Sequence, residues 1–260
     1  MKSLADKFKI RASMLSLIMT NPRNKSEVLS KTCISYLEQR VKEELYWRKK
    51  DLSSVDSIAK GIECENEAIF VLNKALWTAY KKAVYASWEC MDNGYCTGHE
   101  DIDWGGHTVD TKVCISFDTF PLFEQDADSA YYWQWQAYMR LKGENYKKHT
   151  IAKVLVNTPT RMLEQKLYFL YTNLCRKYND NMEFVDIEYE EKAKSIFLNN
   201  VFDQQITINS NGLLLQLSEN EIIPYENRVH LTTIERNEED IAKITERVEQ
   251  CRAYLKSLWY

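Results

Sequence analysis

Apolar residues recur at helical spacing through much of the chain. Residues 14–19 and 26–47 read as helices, separated by the turn-like Thr20-Asn21-Pro22-Arg23-Asn24. A longer helix is predicted over 52–82, where Ile58, Ile62, Ala68, Ile69, Leu72 and Leu76 form one stripe. Between 95 and 115 the pattern changes to an alternation rich in β-branched residues. Gly105-Gly106 interrupts it, which predicts a hairpin. Helices are expected again over 128–142 and 161–178, with a strand at 149–157 between them. A charged helix over 236–259 closes the chain, with Ile241, Ile244, Val248 and Leu255 on its apolar side. Helices flanking a central sheet make the fold class α/β or α+β. With 260 residues, 7 Gly and 4 Pro, long elements and few linkers are expected.

Composition narrows the function classes. Hydrophobic residues at 45% and charged residues at 28% fit a soluble globule. No uncharged apolar run approaches the length of a membrane span. The apolar stretch Met14 to Met19 is too short for a signal peptide and no small-residue cleavage site follows it, so a cytoplasmic location is expected. Seven cysteines, with no Cys-x-x-Cys and no regular spacing, predict reduced thiols rather than a disulfide framework, a zinc site or an iron–sulfur cluster. The net charge of −4 does not by itself suggest a nucleic-acid partner, but its distribution does. Residues 1–50 carry twelve Lys or Arg against five Asp or Glu, a net of +7, whereas residues 180–260 carry eight against sixteen, a net of −8. Phosphate contact needs a local positive surface, which the N-terminal part supplies.

The sharpest chemistry lies in the hairpin, Gly98-His99-Glu100-Asp101-Ile102-Asp103-Trp104-Gly105-Gly106-His107-Thr108-Val109-Asp110-Thr111-Lys112-Val113. In a strand over 107–115, Val109, Thr111, Val113 and Ile115 share one face, and Asp110, Lys112 and Cys114 the other. A two-residue Gly105-Gly106 loop sets Asp103 against Thr108, Ile102 against Val109 and Asp101 directly against Asp110, with Lys112 opposite His99. Directly opposed side chains have Cβ atoms roughly 4.5–5.5 Å apart, and like charges there are destabilising. A divalent cation between the two carboxylates answers that repulsion. Asp103 shares the face of Asp101 and is the alternative ligand; the register favours Asp101.

Two other segments add polar groups. Gly61-Ile62-Glu63-Cys64-Glu65-Asn66-Glu67-Ala68-Ile69 places Glu65 at the border of an apolar helix face that includes Ile62, Ala68, Ile69 and Leu72. In Tyr131-Tyr132-Trp133-Gln134-Trp135-Gln136-Ala137-Tyr138, Gln134 and Tyr138 are four apart and share a helix face, where an amide and a phenol can hold a lysine or a phosphate oxygen.

In this order, Gly61-x-x-x-Glu65, Gly98-x-x-Asp101, Asp110-x-Lys112 and Gln134-x-x-x-Tyr138 resemble the PD-(D/E)xK nucleases, and the last of them the lambda-type (YqaJ-type) exonucleases. Glu100 stands where the family name has proline, and the second acid is Asp110 rather than glutamate. The resemblance implies one nuclease domain with a central mixed sheet flanked by helices. Its parts are a helical DNA-gripping segment over 1–60, a catalytic core over 61–157 and an α/β part over 158–260. It implies Mg²⁺ or Mn²⁺ on Asp101 and Asp110, helped by Glu65 and the Val113 carbonyl. Lys112, Gln134 and Tyr138 would act on the attacking water and the phosphate. Arg11 and Ser13, in Ile10-Arg11-Ala12-Ser13, would grip DNA phosphate. The expected activity is 5′–3′ digestion of linear duplex DNA in phage-type recombination. A homo-trimer and a single-strand annealing protein are implied as partners. An endonuclease of repair or restriction type, or a non-catalytic DNA-binding protein on the same fold, are the competing expectations.

Overall fold

The computed structural model describes residues 2–49, 55–79, 81, 90–123 and 129–258. Helix α1 (Lys2–Lys7) leads through strand β1 (Ile10–Arg11) and a single 3-10 turn into the short α2 (Leu15–Ile18). Helix α3 (Lys31–Tyr46) starts where the Ser30 side chain accepts the Cys33 N–H, so residues 26–30 fall outside the helix expected there. The single helix expected over 52–82 is broken at Cys64 into α4 (Asp56–Glu63) and α5 (Glu65–Leu76), and both its ends lie outside the described residues. The break turns Ile62 outward to 74% exposure, against the inward position expected of it, while Ala68, Ile69 and Leu72 are buried as expected.

Strands β2 (Met91–Asp92), β3 (Cys96–Gly98), β4 (Ile102–Asp103) and β5 (His107–Val113) follow, then α6 (Ser129–Lys142), β6 (Lys148–Val154) and α7 (Thr160–Lys177). Next come α8 (Met182–Leu198), the small hairpin β7 (Ile208–Ser210) with β8 (Leu213–Leu215), β9 (Val229–Glu235) and α9 (Glu238–Ser257). Helix α8 and strands β7 to β9 were not expected. Exposed Phe184 and Ile187 blur the stripe of buried Val185, Tyr189, Ala193 and Phe197 on α8. Strand β9 buries only Ile234 fully, so its sequence shows little alternation.

The central sheet runs β4-β5-β6-β9, parallel between β5 and β6 and antiparallel elsewhere, which is the mixed sheet expected. Its two faces are covered differently. Ala68, Ile69 and Leu72 of α5 pack with Ile102, Val109, Ala152 and Val154 on one face. Trp135 and Met139 of α6 pack with Ile151 and Ile234 on the other. A second sheet, β1-β3-β2, joins the N-terminal segment to the chain just before the hairpin, with Arg11 beside Thr97. The largest apolar cluster unites the two ends of the chain: Ala5, Ile10, Leu15, Cys33 and Leu37 pack with Ile244, Val248, Cys251 and Leu255. All seven cysteines are free thiols, as expected. Among the described residues no helix is long and apolar enough to cross a membrane.

Candidate active site

The hairpin forms with the expected turn. Gly105 and Gly106 have φ of 59° and 99°, which two-residue turns of this hand require and which glycine adopts without penalty. The Trp104 N–H donates to the His107 carbonyl at 2.8 Å, and Ile102 pairs with Val109 and Asp103 with Thr108. There the ladder stops. Asp101 does not continue it as a partner of Asp110, and His99 does not pair with Lys112. Asp101 Oδ2 instead accepts the Thr111 N–H at 2.8 Å and the Thr111 hydroxyl at 2.9 Å. Alternation along β5 points the backbone groups of His107, Val109, Thr111 and Val113 toward β4 and those of Cys114 toward β6, whose Val154 carbonyl accepts the Cys114 N–H. Past Ile102 the carbonyls of Thr111 and Val113 therefore point to an edge that β4 does not pair, where Asp101 takes the Thr111 N–H.

Pinned in this way, Asp101 lies within the field of Asp110. Burial first, and the charge of Asp110 second, push the Asp101 carboxyl up to about 7, although Lys112 and Thr111 oppose them. Asp110 is 2% exposed, and its Oδ2 faces Lys112 Nζ at 2.5 Å as an ion pair. Burial works against the Lys112 ammonium, yet Asp110 and Asp101 outweigh it and its pKa is raised. Its Nζ also sits 5.6 Å from the centre of the Tyr131 ring. Two carboxylates and one ammonium thus gather around the buried Asp110 at the sheet edge, on the side covered by α6.

Helix α6 presents Tyr131, Gln134, Tyr138 and Lys142 to this cluster at steps of three and four residues. Gln134 Nε2 donates to the Tyr138 hydroxyl at 2.8 Å, which leaves the phenol proton free to be donated elsewhere. Burial, then Asp110, raises the Tyr138 pKa well above its ordinary value, so the phenol stays protonated. Lys142 closes the stripe. Its Nζ lies 2.6 Å from Glu100 and 2.7 Å from Asp103, and the Tyr146 hydroxyl donates to Asp103 at 2.8 Å. Asp103, the alternative ligand, is therefore held by Lys142 and Tyr146, and Glu100 by Lys142.

The remaining candidates are distributed around this centre. Arg11, Ser13, Thr97, Gly98, His99 and Tyr138 line a cavity of about 220 Å³, so Arg11 and Ser13 share its wall with Tyr138. Gly98 makes this join possible, because a Cβ there would lie 2.9 Å from the Tyr138 ring and 3.1 Å from Ala12 Cβ. Glu65, half-buried, opens α5, the helix that covers the Val109 face of β5. Among the described residues no three His, Cys, Asp or Glu side chains converge as a preformed metal cluster, so Glu65 is not gathered with Asp101 and Asp110. The donor set nevertheless suits a divalent cation: a buried and a half-buried carboxylate that repel each other beside a carbonyl-bearing strand edge.

Three residues of the site were missed in the sequence. Thr111 acts through its backbone and hydroxyl, which face patterning does not weigh. Lys142 was findable, since it continues the four-residue steps of Gln134 and Tyr138. His149 is fully buried, accepts or shares a proton with the Thr108 hydroxyl at 2.7 Å, and stacks on Trp135 with ring centres 5.6 Å apart. Burial, with the charge of Lys112 adding to it, lowers its pKa to about 3, so the ring is neutral beneath the cluster.

No protein-family model matches the sequence, and no curated protein sequence matches it. Solved structures do match. A phage-related exonuclease from Haemophilus somnus is 23% identical and superposes with a TM-score of 0.67 over 97% of this chain and 95% of that one. The alkaline exonuclease LHK-Exo from Laribacter hongkongensis is 13% identical, with a TM-score of 0.55 over 98% of this chain and 92% of that one. LHK-Exo in complex with dAMP gives 0.54 at 14% identity, over 97% and 90% of the two chains. At these identities the likeness speaks to architecture: the chain has the exonuclease fold along nearly its whole length, with the Asp101–Asp110–Lys112 cluster at the open edge of its central sheet.

Proposed function

We propose that the protein is a metal-dependent exonuclease that digests linear duplex DNA from the 5′ end, in the manner of phage recombination nucleases. The observation that carries this reading is the pair Asp101 and Asp110, the first half-buried with its carboxyl raised by the charge of the buried second, beside Lys112 on an exonuclease fold. Asp101 and Asp110 would hold Mg²⁺ or Mn²⁺, with the Thr111 and Val113 carbonyls alongside and Glu65 reaching it through water. When bound, such an ion polarises a phosphate and lowers the pKa of a water. Lys112, held charged by the two acids, offsets the negative charge that develops on the phosphate. Tyr138, kept protonated by burial and by the charge of Asp110 and oriented by Gln134, donates its hydroxyl proton toward the phosphate oxygens. Arg11 and Ser13 take the backbone or the terminal 5′-phosphate in the cavity next to Tyr138, which sets the direction of digestion. A trimeric ring and a single-strand annealing partner complete the reading, and light scattering tests the first.

The test uses end-labelled linear duplex with and without a 5′-phosphate, and a closed circle, in Mg²⁺ or EDTA. Loss of labelled ends only in Mg²⁺, faster with the 5′-phosphate and sparing the circle, supports the reading. Cleavage of the circle means an endonuclease. Lys112→Ala or Asp110→Ala is expected to slow digestion by about 10²–10³-fold or more while DNA binding in EDTA stays near wild type. Digestion at the wild-type rate by Lys112→Ala refutes the assignment.

A further inference from the structure

The C-terminal end of α3 carries a basic and aromatic surface that the candidate site does not use. Trp47 closes the helix in the left-handed region at φ 53°, an uncommon conformation for a bulky residue, and is 90% exposed. Tyr46 beside it is 67% exposed. Gln39, Lys42, Tyr46, Arg48 and Lys49 line a concavity of about 640 Å³, and none of the described residues that line it is an acid. Arg40 is paired with Glu43 at 2.6 Å, but Lys42, Arg48 and Lys49 have no carboxylate partner among the described residues.

Helix α3 packs through Tyr36 against the cluster that holds Ile10 and Ala12, the two neighbours of Arg11, and runs on from there to Tyr46, about 15 Å further at the α-helical rise. Cations without counter-ions suit a chain of phosphates. Exposed rings among them suit bases, which offer their faces only when unstacked and unpaired. Duplex DNA or an acidic peptide would use the lysines and leave Trp47 idle.

We propose that the C-terminal half of α3, with Trp47 as a stacking platform, holds a segment of unpaired nucleic-acid strand leading away from the Arg11 cavity. The source of that strand rests on the exonuclease reading, since digestion of one strand leaves its complement unpaired. The binding itself needs no catalysis.

The experiment measures binding of a labelled oligothymidylate and of a blunt duplex of equal length, in EDTA, to the full chain. Trp47→Ala is expected to weaken single-strand binding about ten-fold or more and duplex binding by less than about two-fold, while Trp47→Phe keeps most of the affinity. Lys42→Glu combined with Lys49→Glu should also weaken single-strand binding and flatten its salt dependence by about one to two ions. These residues are exposed, so circular dichroism should show wild-type folding. Unchanged single-strand affinity in Trp47→Ala, equal losses on both DNAs, or competition by heparin as strong as by oligothymidylate overturns the proposal. Mg²⁺-dependent digestion by the wild type is scored separately. Digestion with unchanged single-strand binding in Trp47→Ala removes only the α3 site, and tight single-strand binding without digestion removes only the nuclease reading.

Discussion

Asp101 receives two N–H and O–H donors from Thr111 and the repulsion of Asp110 from the other side. Alternation from the Gly105-Gly106 turn places Asp101 and Asp103 on one face, and the register favours Asp101. Lys142 and Tyr146 make the choice by occupying Asp103, and both lie some forty residues away along the chain. The site is therefore legible from the residues up to the last step, which is decided by long-range partners. The same geometry sets a pH dependence. With its pKa near 7, Asp101 holds a proton in the folded chain as the pH drops below that value, and a divalent ion must displace the proton to bind. Ions that bind the folded state raise its melting temperature. Saturating Mg²⁺ is expected to raise it by several degrees at pH 8 and by clearly less at pH 6, and Asp101→Asn should remove the difference. Equal shifts at both pH values in a thermal melt would count against the pair as a cation site.

At the scale of elements, the hairpin and α6 depend on each other through Lys142. The hairpin was readable because its signals are local: two glycines and a period of two. Its tie to α6 was not, because Glu100 and Asp103 meet Lys142 only after both elements have packed. Removing one partner of a buried ion pair costs about 3 kcal/mol or more, because a buried charge loses its counter-ion. Lys142→Met should lower stability by that amount in chemical denaturation and raise the Mg²⁺ needed for half-maximal activity, whereas Lys142→Arg should keep both. The double change Lys142→Met with Glu100→Gln should recover most of the stability. Gly98 is the matching point on β3. A methyl group there meets the buried Tyr138 ring, so Gly98→Ala is expected to cost about 1–3 kcal/mol of overpacking and to slow cleavage by displacing the phenol. A Gly98→Ala protein with wild-type stability and rate would show that Tyr138 can shift freely.

For the whole molecule, the two ends of the chain meet in one cluster that also takes in Ala12, Ala137 and Tyr138 beside the candidate site. Helix α9 was visible in the sequence as an apolar stripe, but its partner surface, built by residues 5 to 37, was not, because nothing local announces a contact across more than two hundred residues. Ile244, Val248, Cys251 and Leu255 are each fully buried there. At about 2–5 kcal/mol for each large aliphatic lost, removal of residues 237–260 exceeds a typical net stability of about 5–15 kcal/mol. The truncated chain is expected to lose its cooperative thermal transition, and retention of a sharp melt would show that the two ends fold independently. Strand β4 ends after only two residues, and that brevity bears on how copies of the protein behave in solution. A bare stretch of β5 is a template on which any extended chain can dock, including another molecule of the same kind. The Asp101 carboxylate fills the Thr111 amide and brings charge to that border. A sheet left bare at this border thus has an acid stationed where a stray strand would otherwise add on, and a neutral, smaller residue in its place is expected to raise the tendency to clump.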